Sequence, residues 1–247
     1  NMRLDILLSE QYWFTRNKAQ QLIRAGLVSI DGKVISKPSS EVSENDSLVI
    51  QQDRRISWVS RSAEKLAGFL EQRTKNQYTV TITGANCLDV GSSTGGFTQV
   101  LLEHGAAKVD AVDVGTNQLH ENIRRDPRVT SYEQTDIRSY VSNKTYDIIV
   151  CDASFISLHE ILPSILSFTH KQTNIILLYK PQFEVGRENL RKTGVPKDEK
   201  IIEKYMKEFE LLLVEKHCTI IQKKKSVLQG EAGNQEWIYW IKKKEVL

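Results

Sequence analysis

The sequence predicts an α/β fold in which a mostly parallel, seven-stranded, doubly wound sheet follows a small α+β unit. After Gly84, short apolar segments alternate with helical segments, which is the pattern of strand–helix–strand crossovers. The first 52 residues differ, because they contain two short amphipathic helices and then a hairpin signal. We therefore divide the 247 residues into a small domain at 1–52, a linker at 53–60 and a large domain at 61–247.

The composition is typical of an ordinary globular protein. Hydrophobic residues make up 40% and charged residues 26% of the chain, and no apolar run approaches the roughly 18 residues that cross a bilayer. The N-terminal segment MRLDILLSEQ has an acid inside its apolar run and no small-residue cleavage site, unlike a secretory signal. We expect a cytoplasmic protein.

The spacing of cysteine and histidine excludes two classes of site. The 3 cysteines lie far apart in apolar, strand-like segments, and the 5 histidines show no paired spacing. A disulfide framework or a zinc site needs closer and more regular spacing than this. We therefore expect buried structural thiols, which behave as small apolar side chains, and no metal site.

The small unit begins with three leucines spaced along one helical face. A second helix is predicted at 15–26, where Thr15 is a capping residue and Gly26 ends the helix. The pair Asp31-Gly32 between alternating apolar residues predicts a tight hairpin. A last strand is predicted at 47–50, which completes a compact αα-β unit.

Basic residues are concentrated on one half of this small unit. The net charge of +3 alone neither demands nor excludes nucleic acid, so the distribution has to decide. A basic helical face suits a phosphate backbone, although a solvated surface explains the charge equally well. Further basic candidates lie at the start of the first predicted helix of the large domain, which Ser60 can cap, and in the segment RENLRKTGVPK. The candidate RNA-binding residues are Arg3, Arg16, Lys18, Arg24, Lys33, Arg61, Arg187 and Arg191.

Seven strands are predicted in the large domain, and their carboxyl ends mark one edge of the sheet. They lie at 87–90, 108–112, 129–132, 147–151, 174–179, 218–223 and 237–243. Ligands of such sheets bind beyond the carboxyl ends of the strands. That edge carries Gly91, Asp113, Asp136, Asp152 and Lys180, since each follows its strand at once or within a few residues.

A glycine-rich turn after the first of these strands can bring the backbone close to a ligand. It is neither G-x-G-x-x-G nor a P-loop, which disfavours a dinucleotide or a nucleoside triphosphate. An acid in the strand, the glycine turn and an acid after the next strand form the pattern of S-adenosylmethionine sites, although tight turns and helix caps explain single residues too. The candidate cofactor residues are Asp89, Gly91, Ser93, Thr94, Gly95, Gly96, Asp113, Asp136 and Asp152.

Two sets of motifs carry a family resemblance. The segment TRNKAQQLIRAGLVSIDGKVISKPS resembles the S4 RNA-binding domain. The segments VSRSAEKL, CLDVGSSTGGFT, VCDASFISL, LYKPQFEVG and GEAGNQEW resemble successive motifs of the TlyA family, S4-bearing relatives of FtsJ-type ribose methyltransferases. The resemblance covers almost the whole chain. Its glycine turn usually reads GASTGG, and here Ser92 replaces the alanine, a small change for a turn.

The resemblance implies a Rossmann-like class I methyltransferase that moves a methyl group from S-adenosylmethionine to a ribose 2′-hydroxyl of ribosomal RNA, at a cytidine. It also implies a catalytic set of four residues, which taken one by one would be explained as surface residues. Carried over by motif, they are Lys65, Asp152, Lys180 and Glu236. We expect Lys180 to take the hydroxyl proton, Asp152 to position it, and the other two to complete the charge network.

Two other classes of function remain open at this stage. Some relatives are named haemolysins, so a membrane-active toxin is one alternative, although no strongly amphipathic cationic helix of high hydrophobicity supports it. A ribosome-assembly factor that binds RNA without catalysis is the other. The chain ends soon after the last predicted strand, and the family members that it resembles in this respect modify the large ribosomal subunit alone.

Overall fold

The computed structural model divides into two compact units, residues 1–58 and 59–247. The predicted helix cap Thr15 and most of the predicted linker lie outside the residues that the structure describes. No helix among the described residues is long and apolar enough to span a bilayer. The described residues are 2–11, 16–43, 46–51, 58–71 and 79–244.

The small unit contains the predicted pair of helices and the predicted hairpin. Both residues of the hairpin turn have positive φ, 48° at Asp31 and 77° at Gly32, as a two-residue turn between twisted strands requires. Strands β2, β3 and β5 form one antiparallel sheet, and β1 pairs with β4. The elements are β1 (Met2–Arg3), α1 (Leu4–Gln11), α2 (Arg16–Arg24), β2 (Val28–Ile30), β3 (Lys33–Val34), β4 (Glu41–Val42) and β5 (Leu48–Ile50).

A buried carboxylate organises the basic side of this unit. Asp5 is inaccessible to solvent, and its Oδ1 and Oδ2 accept hydrogen bonds from Nε and Nη2 of Arg3, both at 3.0 Å. Its Oδ2 also accepts from Arg16 at 3.3 Å and from Gln20 at 2.8 Å. These donors hold the pKa of Asp5 well below its usual range, the Arg3 contact most of all. Two of the candidate RNA-binding arginines are thus held by an internal ion pair.

The large unit contains the predicted seven-stranded sheet, in the order β11-β12-β10-β9-β6-β7-β8. Strands β8, β7, β6, β9 and β10 are mutually parallel, whereas β12 runs antiparallel between β10 and β11. All seven predicted strands are present, which confirms the predicted fold class. They are β6 (Asn86–Val90), β7 (Lys108–Val112), β8 (Val129–Tyr132), β9 (Tyr146–Cys151), β10 (Thr169–Tyr179), β11 (Cys218–Lys225) and β12 (Trp237–Lys243).

Helices cover the sheet and leave its carboxyl rim open. The central strands read as near-continuous apolar runs because both of their faces are buried. The three cysteines lie in β6, β9 and β11 as buried, unpaired thiols, as predicted. The helices are α3 (Ser62–Glu71), α4 (Gly96–Glu103), α5 (Glu121–Arg124), α6 (Leu158–Ser167), α7 (Pro181–Glu184) and α8 (Glu199–Glu215).

The reversed strand β12 determines which residues meet at the rim. Tyr179, the last residue of β10, pairs with Trp237, the first residue of β12. Lys180 follows the former and Glu236 precedes the latter, so the two residues are neighbours across the strand pair although 56 positions separate them in the chain. An all-parallel arrangement would have put the start of β12 at the opposite edge of the sheet.

Replacing Asp5 with alanine should lower the free energy of unfolding of the small unit. The change removes charge-assisted hydrogen bonds to a buried carboxylate, each worth about 1.5–3 kcal/mol, and the half-exposed arginines can return to water. Denaturant titration of the full chain at neutral pH measures the change. The exposed Glu10→Ala on the same helix is the control.

The pH dependence gives that experiment a second readout. Because the folded pKa of Asp5 is lowered, its stabilisation is present above the ordinary aspartate range and is lost as the pH falls below it. The difference between wild type and Asp5→Ala should therefore shrink in acid. Equal stability of the two proteins at neutral pH would contradict the structural role of Asp5.

Candidate functional site

The glycine-rich turn after β6 approaches the neighbouring strand so closely that no side chain fits. A Cβ atom at Gly91 would lie 2.8 Å from the Cα of Ala153. A Cβ atom at Gly96 would overlap the hydroxyl groups of Ser60 and Ser62. Gly91 also has a φ of 76°, in the left-handed region that glycine tolerates best. The turn therefore brings bare backbone to the carboxyl rim.

Asp113 fixes this turn from the adjacent strand. Its Oδ2 accepts a hydrogen bond from the backbone N–H of Ser93 at 2.8 Å, and its Oδ1 accepts one from Gly115 at 2.7 Å. Ser93 has a φ of 46°, which is uncommon for a residue with a side chain. The Asp113 contact therefore stabilises a strained turn conformation and keeps the turn and the end of β7 in register.

A cavity of about 550 Å³ opens beside the turn. Carboxylates of three strand ends line it, and Val114, Ile137 and Phe155 contribute apolar walls. Five of the nine candidate cofactor residues line the cavity, namely Gly91, Ser93, Asp113, Asp136 and Asp152. The other four lie in β6 or lead into α4 behind it. They are Asp89, Thr94, Gly95 and Gly96.

Asp136 is already engaged by a neighbour that the sequence reasoning missed. Its two carboxylate oxygens accept hydrogen bonds from Arg138 through Nε, Nη2 and the backbone N–H, at 2.7 to 3.1 Å. The side-chain bonds, more than any other cause, hold the pKa of Asp136 below its usual range. Arg138 also lines the cavity and contacts Glu160. The only sequence signal was the position of Arg138, two residues after a strand-end acid.

Asp89 is a buried carboxylate with one oxygen left over. Its Oδ2 accepts a hydrogen bond from Thr98 at 2.6 Å, whereas Oδ1 has no hydrogen-bond partner among the described residues. Burial raises the pKa of this carboxyl to about 7, and the charges of Asp152 and Asp113 add to the effect. A cation or a hydrogen-bond donor bound nearby would stabilise the ionised form.

Two lysine–carboxylate pairs lie at the same rim and contain all four candidate catalytic residues. Lys180 Nζ lies 2.7 Å from Asp152 Oδ1, and Lys65 Nζ lies 2.6 Å from Glu236 Oε2. None of the four side chains is more than 13% exposed. Burying four charges is costly unless they are paired, so this arrangement is unlike a solvated surface network.

The first pair is held by further contacts of Lys180. Its ammonium donates hydrogen bonds to Ser154 Oγ at 2.8 Å and to the carbonyl of Asp152 at 3.2 Å. The approach to Asp152 Oδ1 is short but poorly aligned for a hydrogen bond, so it is mainly electrostatic. Three contacts from one loop thus fix the direction of the lysine side chain.

The second pair is enclosed by the loop that precedes β12. A Cβ atom at Gly230 would overlap the carboxylate of Glu236, so this loop packs its backbone directly on the acid. The amide of Gln182 lies 3.5 Å from the other oxygen of Glu236 and stands two residues after Lys180. Gln182 therefore reaches Glu236 from the short helix that begins next to Lys180.

Phe155 stands out beside these pairs because it is both exposed and strained. Its side chain is 87% exposed, and its φ of 64° is unusual for a bulky residue. The ring lies 5.1 Å from the ring of Phe183, centroid to centroid. Lys180 Nζ lies 5.9 Å from the centroid of Phe183. An aromatic surface is thus presented at the open side of the paired lysine.

Several candidate RNA-binding residues are exposed, whereas others contact neighbouring residues. Arg24, Lys33 and Arg61 are exposed, whereas Lys18 donates a hydrogen bond to the carbonyl of Trp58 at 3.3 Å. The segment 187–197 is a compact hairpin closed by a bridge between Leu190 and Pro196. Its exposed basic residues include Arg187 and Arg191. Among the described residues of the chain, no cluster of three or more potential metal ligands occurs.

Comparison with known protein families identifies the family of this chain. The model of the FtsJ-like methyltransferase family matches residues 58–243, which carry the glycine turn and all four candidate catalytic residues. The chain belongs to the FtsJ-like methyltransferase family. Residues 2–48 match the S4 domain, so this FtsJ-like methyltransferase carries an S4 domain at its N-terminus, and the predicted family is confirmed.

Individual relatives match the sequence of this chain over nearly its full length. It is 38% identical to the 23S rRNA (cytidine-2′-O)-methyltransferase TlyA of Campylobacter jejuni, over 97% of this chain and 98% of the relative. It is also 38% identical to the 16S/23S rRNA (cytidine-2′-O)-methyltransferase TlyA of Mycobacterium tuberculosis, over 92% and 84%. A solved structure provisionally named a hemolysin, from Streptococcus thermophilus, is 33% identical, with a TM-score of 0.72 and coverage of 98% and 88%.

The raised pKa of Asp89 predicts a pH dependence of stability in this FtsJ-like domain. The folded protein holds the Asp89 proton up to about pH 7, whereas the unfolded chain loses it near pH 4. The contribution therefore favours folding in acid and is lost as the pH rises through this window, by up to about 1.4 kcal/mol per pH unit. Denaturant titrations at several pH values measure the free energy of unfolding. As the pH rises from 4 to 7, this free energy should fall less for Asp89→Asn than for wild type.

A matched control uses the exposed Glu203→Gln, which makes the same change of charge on α8. Its profile should follow that of the wild type. If the free energy of unfolding of Asp89→Asn falls as steeply between pH 4 and 7 as that of the wild type, the raised pKa of Asp89 is wrong.

Proposed function

We propose that this protein transfers a methyl group from S-adenosylmethionine to the ribose 2′-hydroxyl of a cytidine in ribosomal RNA. The observation that carries the proposal is the pair of buried lysine–carboxylate contacts beside the cavity at the carboxyl rim. The relatives named as rRNA (cytidine-2′-O)-methyltransferases support the choice of substrate. A ribosomal RNA substrate makes the cytoplasm the expected location.

The cavity residues fit S-adenosylmethionine, which is a nucleoside carrying a positively charged sulfonium and an ammonium group. The cavity is of nucleoside size and carries carboxylates, and the orphaned Oδ1 of Asp89 adds a further acceptor behind it. Bare backbone at Gly91 allows a close approach. When bound, the cofactor supplies an electrophilic methyl group and leaves as a neutral thioether. Asp113 is proposed to accept hydrogen bonds from its ribose hydroxyls.

Arg138 and Asp136 both line the cavity. Each oxygen of Asp136 already receives two contacts from Arg138, which leaves this carboxylate little capacity to accept from an adenine amino group. These bonds and a contact with Glu160 hold the guanidinium in place. A planar cation stacks favourably on a purine ring. We therefore assign the adenine contact to Arg138 and give Asp136 the task of orienting it.

Lys180, once it has released its own proton to solvent, is proposed to accept the proton of the 2′-hydroxyl through its neutral amine as the oxygen forms its bond to the methyl carbon and the carbon–sulfur bond breaks. Its contacts with Ser154 and Asp152 fix the direction of the amine, and Asp152 stabilises the ammonium that results. Lys65 supplies a second positive charge for the oxygen, while Glu236 keeps that lysine in place.

Recognition of RNA is assigned to exposed basic and aromatic side chains. In the S4 domain Arg24 and Lys33 are exposed, and in the methyltransferase domain Arg61, Arg187 and Arg191 are exposed. Such residues bind phosphates without reading sequence. The ring of Phe155 offers a stacking surface for an unpaired base.

Replacing Lys180 should abolish methyl transfer. With Lys180→Ala the proton acceptor is lost, and general-base catalysis typically contributes about 10²–10⁴-fold. Lys180→Arg keeps the positive charge beside Asp152 but cannot deprotonate, so it should be equally inactive. The measurement is incorporation of radiolabelled methyl groups into ribosomal RNA or ribosomal subunits, followed by mapping of the labelled nucleotide.

Two controls make the result specific. Calorimetric titration should give similar cofactor affinities for wild type and both variants, and the exposed Lys204→Ala on α8 should retain full activity. Normal turnover by either Lys180 variant would exclude the proposed base. RNA binding by the wild type without any incorporation of label would favour the assembly-factor alternative, and leakage of liposomes would favour the toxin.

Replacing Arg24 and Lys33 together with alanine should weaken RNA binding by the S4 domain without loss of cofactor binding. Each lost phosphate contact should reduce the slope of log affinity against log salt concentration by about 1. Filter binding of ribosomal RNA at several salt concentrations measures this slope. The control is Lys108→Ala, because Lys108 lies at the start of β7 and hence away from the carboxyl rim of the sheet. An unchanged slope would remove these two residues from the interface.

A further inference from the structure

A fifth charged side chain is buried at the rim, and the proposed chemistry does not use it. Glu184 ends α7, four residues after Lys180, and its side chain is only 1% exposed. A buried carboxylate costs several kcal/mol unless its oxygens are satisfied. The partners of Glu184 therefore indicate what its burial achieves.

Glu184 binds the start of α6. Its Oε1 accepts a hydrogen bond from the backbone N–H of Leu158 at 2.8 Å, and its Oε2 accepts one from Ser157 Oγ at 2.6 Å. The ring of His159 lies 3.5 Å from the same oxygen and packs edge-on against Phe209. Ser157 already caps α6 by accepting from the N–H of His159. Ser157 thus satisfies one N–H of the first turn, whereas Glu184 satisfies a second one from another element and so joins α6 to α7.

The contacts of Glu184 complete a clamp between two loops. At one end, Lys180 holds Asp152 and Ser154. At the other end, Glu184 holds Ser157 and Leu158. Segments 152–158 and 180–184 are thus fastened together at both ends.

Phe155 lies in the middle of the fastened segment. Its backbone has the strained φ of 64°, and its exposed ring lies 5.1 Å from the ring of Phe183, which belongs to the other segment. A strained conformation of this kind persists only where the surroundings hold it. The two ends of the clamp are the contacts that can hold it here.

We propose that Glu184 is a positioning residue, which fixes the loop of Phe155 against the loop of Lys180 so that the target nucleotide meets both. The inference rests on the proposed function. Glu184 touches neither the reacting atoms nor the lining of the cavity, so it acts through the loop of Phe155. Phe155 also lines the cavity, so loss of Glu184 should impair use of the RNA more strongly than it lowers the affinity for S-adenosylmethionine.

A double-mutant cycle tests the coupling to Phe155. Glu184→Leu removes both hydrogen bonds and fills the space with an apolar side chain of similar volume, so the variant is expected to fold. It should lower kcat/KM for ribosomal RNA roughly 10- to 100-fold, the effect expected of a displaced reacting group. In a Phe155→Ala background the supported ring is absent, so Glu184→Leu should lower kcat/KM by less than about threefold. Cofactor affinity should fall by a smaller factor than kcat/KM.

A conservative variant of Glu184 and a variant of a surface acid serve as controls for this double-mutant cycle. Glu184→Gln can still accept from Leu158 and donate to Ser157, so it should keep most of the activity. Glu203→Ala removes one exposed acid and should behave as wild type. Fully multiplicative losses in the double variant, or a fall in cofactor affinity as large as the fall in kcat/KM, would overturn the positioning role and leave Glu184 as a general stability residue.

Hydrogen exchange tests the clamp independently of catalysis. In the full chain without cofactor, peptides covering 153–160 should exchange faster in Glu184→Leu than in wild type, since the N–H of Leu158 loses its acceptor. Peptides of β7 and β12 should be unchanged, and Glu203→Ala should match wild type throughout. Unchanged exchange at 153–160 would refute the clamp. If the wild type transfers no methyl group to RNA, the proposed function fails, whereas this measurement still decides on the clamp.

Discussion

The structure of the site depends on one electrostatic constraint: two lysines and two carboxylates are buried together at the rim of the sheet. Each charge would be costly there alone, and each is compensated by a partner less than 3 Å away. The partners come from distant parts of the chain, with Lys65 and Glu236 171 positions apart. Correct folding of the whole large domain is thus a condition for balancing these charges, which links stability to the chemistry that the site can perform.

The reversed strand β12 is the topological device that satisfies this constraint. By running antiparallel between β10 and β11, it brings a residue from the start of a strand to the edge where the other strands end. The glycine turn after β6 contributes the complementary feature, because its bare backbone closes on Ala153 without a side chain between them. Asp152 links the two features, because it pairs with Lys180 and also lines the cavity.

Much of this could be predicted from the sequence, because strand length, alternation with helices and a glycine turn are local signals. The strands of the large domain, the hairpin at Asp31 and the order of the motifs are of this kind. The two-residue strands β1 and β4 were not predicted, since they are too short for any periodic pattern. Nor were the roles of Arg138 and Glu184, which depend on loop conformations. The burial of Lys65 also escapes local reasoning, because a helix position does not reveal a partner in a remote strand.

The buried acid of the small unit has a consequence for the lifetime of complexes with RNA. Arg3 and Arg16 share one carboxylate, so their combined charge is about half of what the sequence suggests. Nonspecific attraction to polyanions grows steeply with the number of phosphates that a protein neutralises. A surface with fewer available cations holds unrelated RNA less tightly and dissociates from it sooner. Internal neutralisation thereby shortens the time for which this surface stays bound to unrelated polyanions.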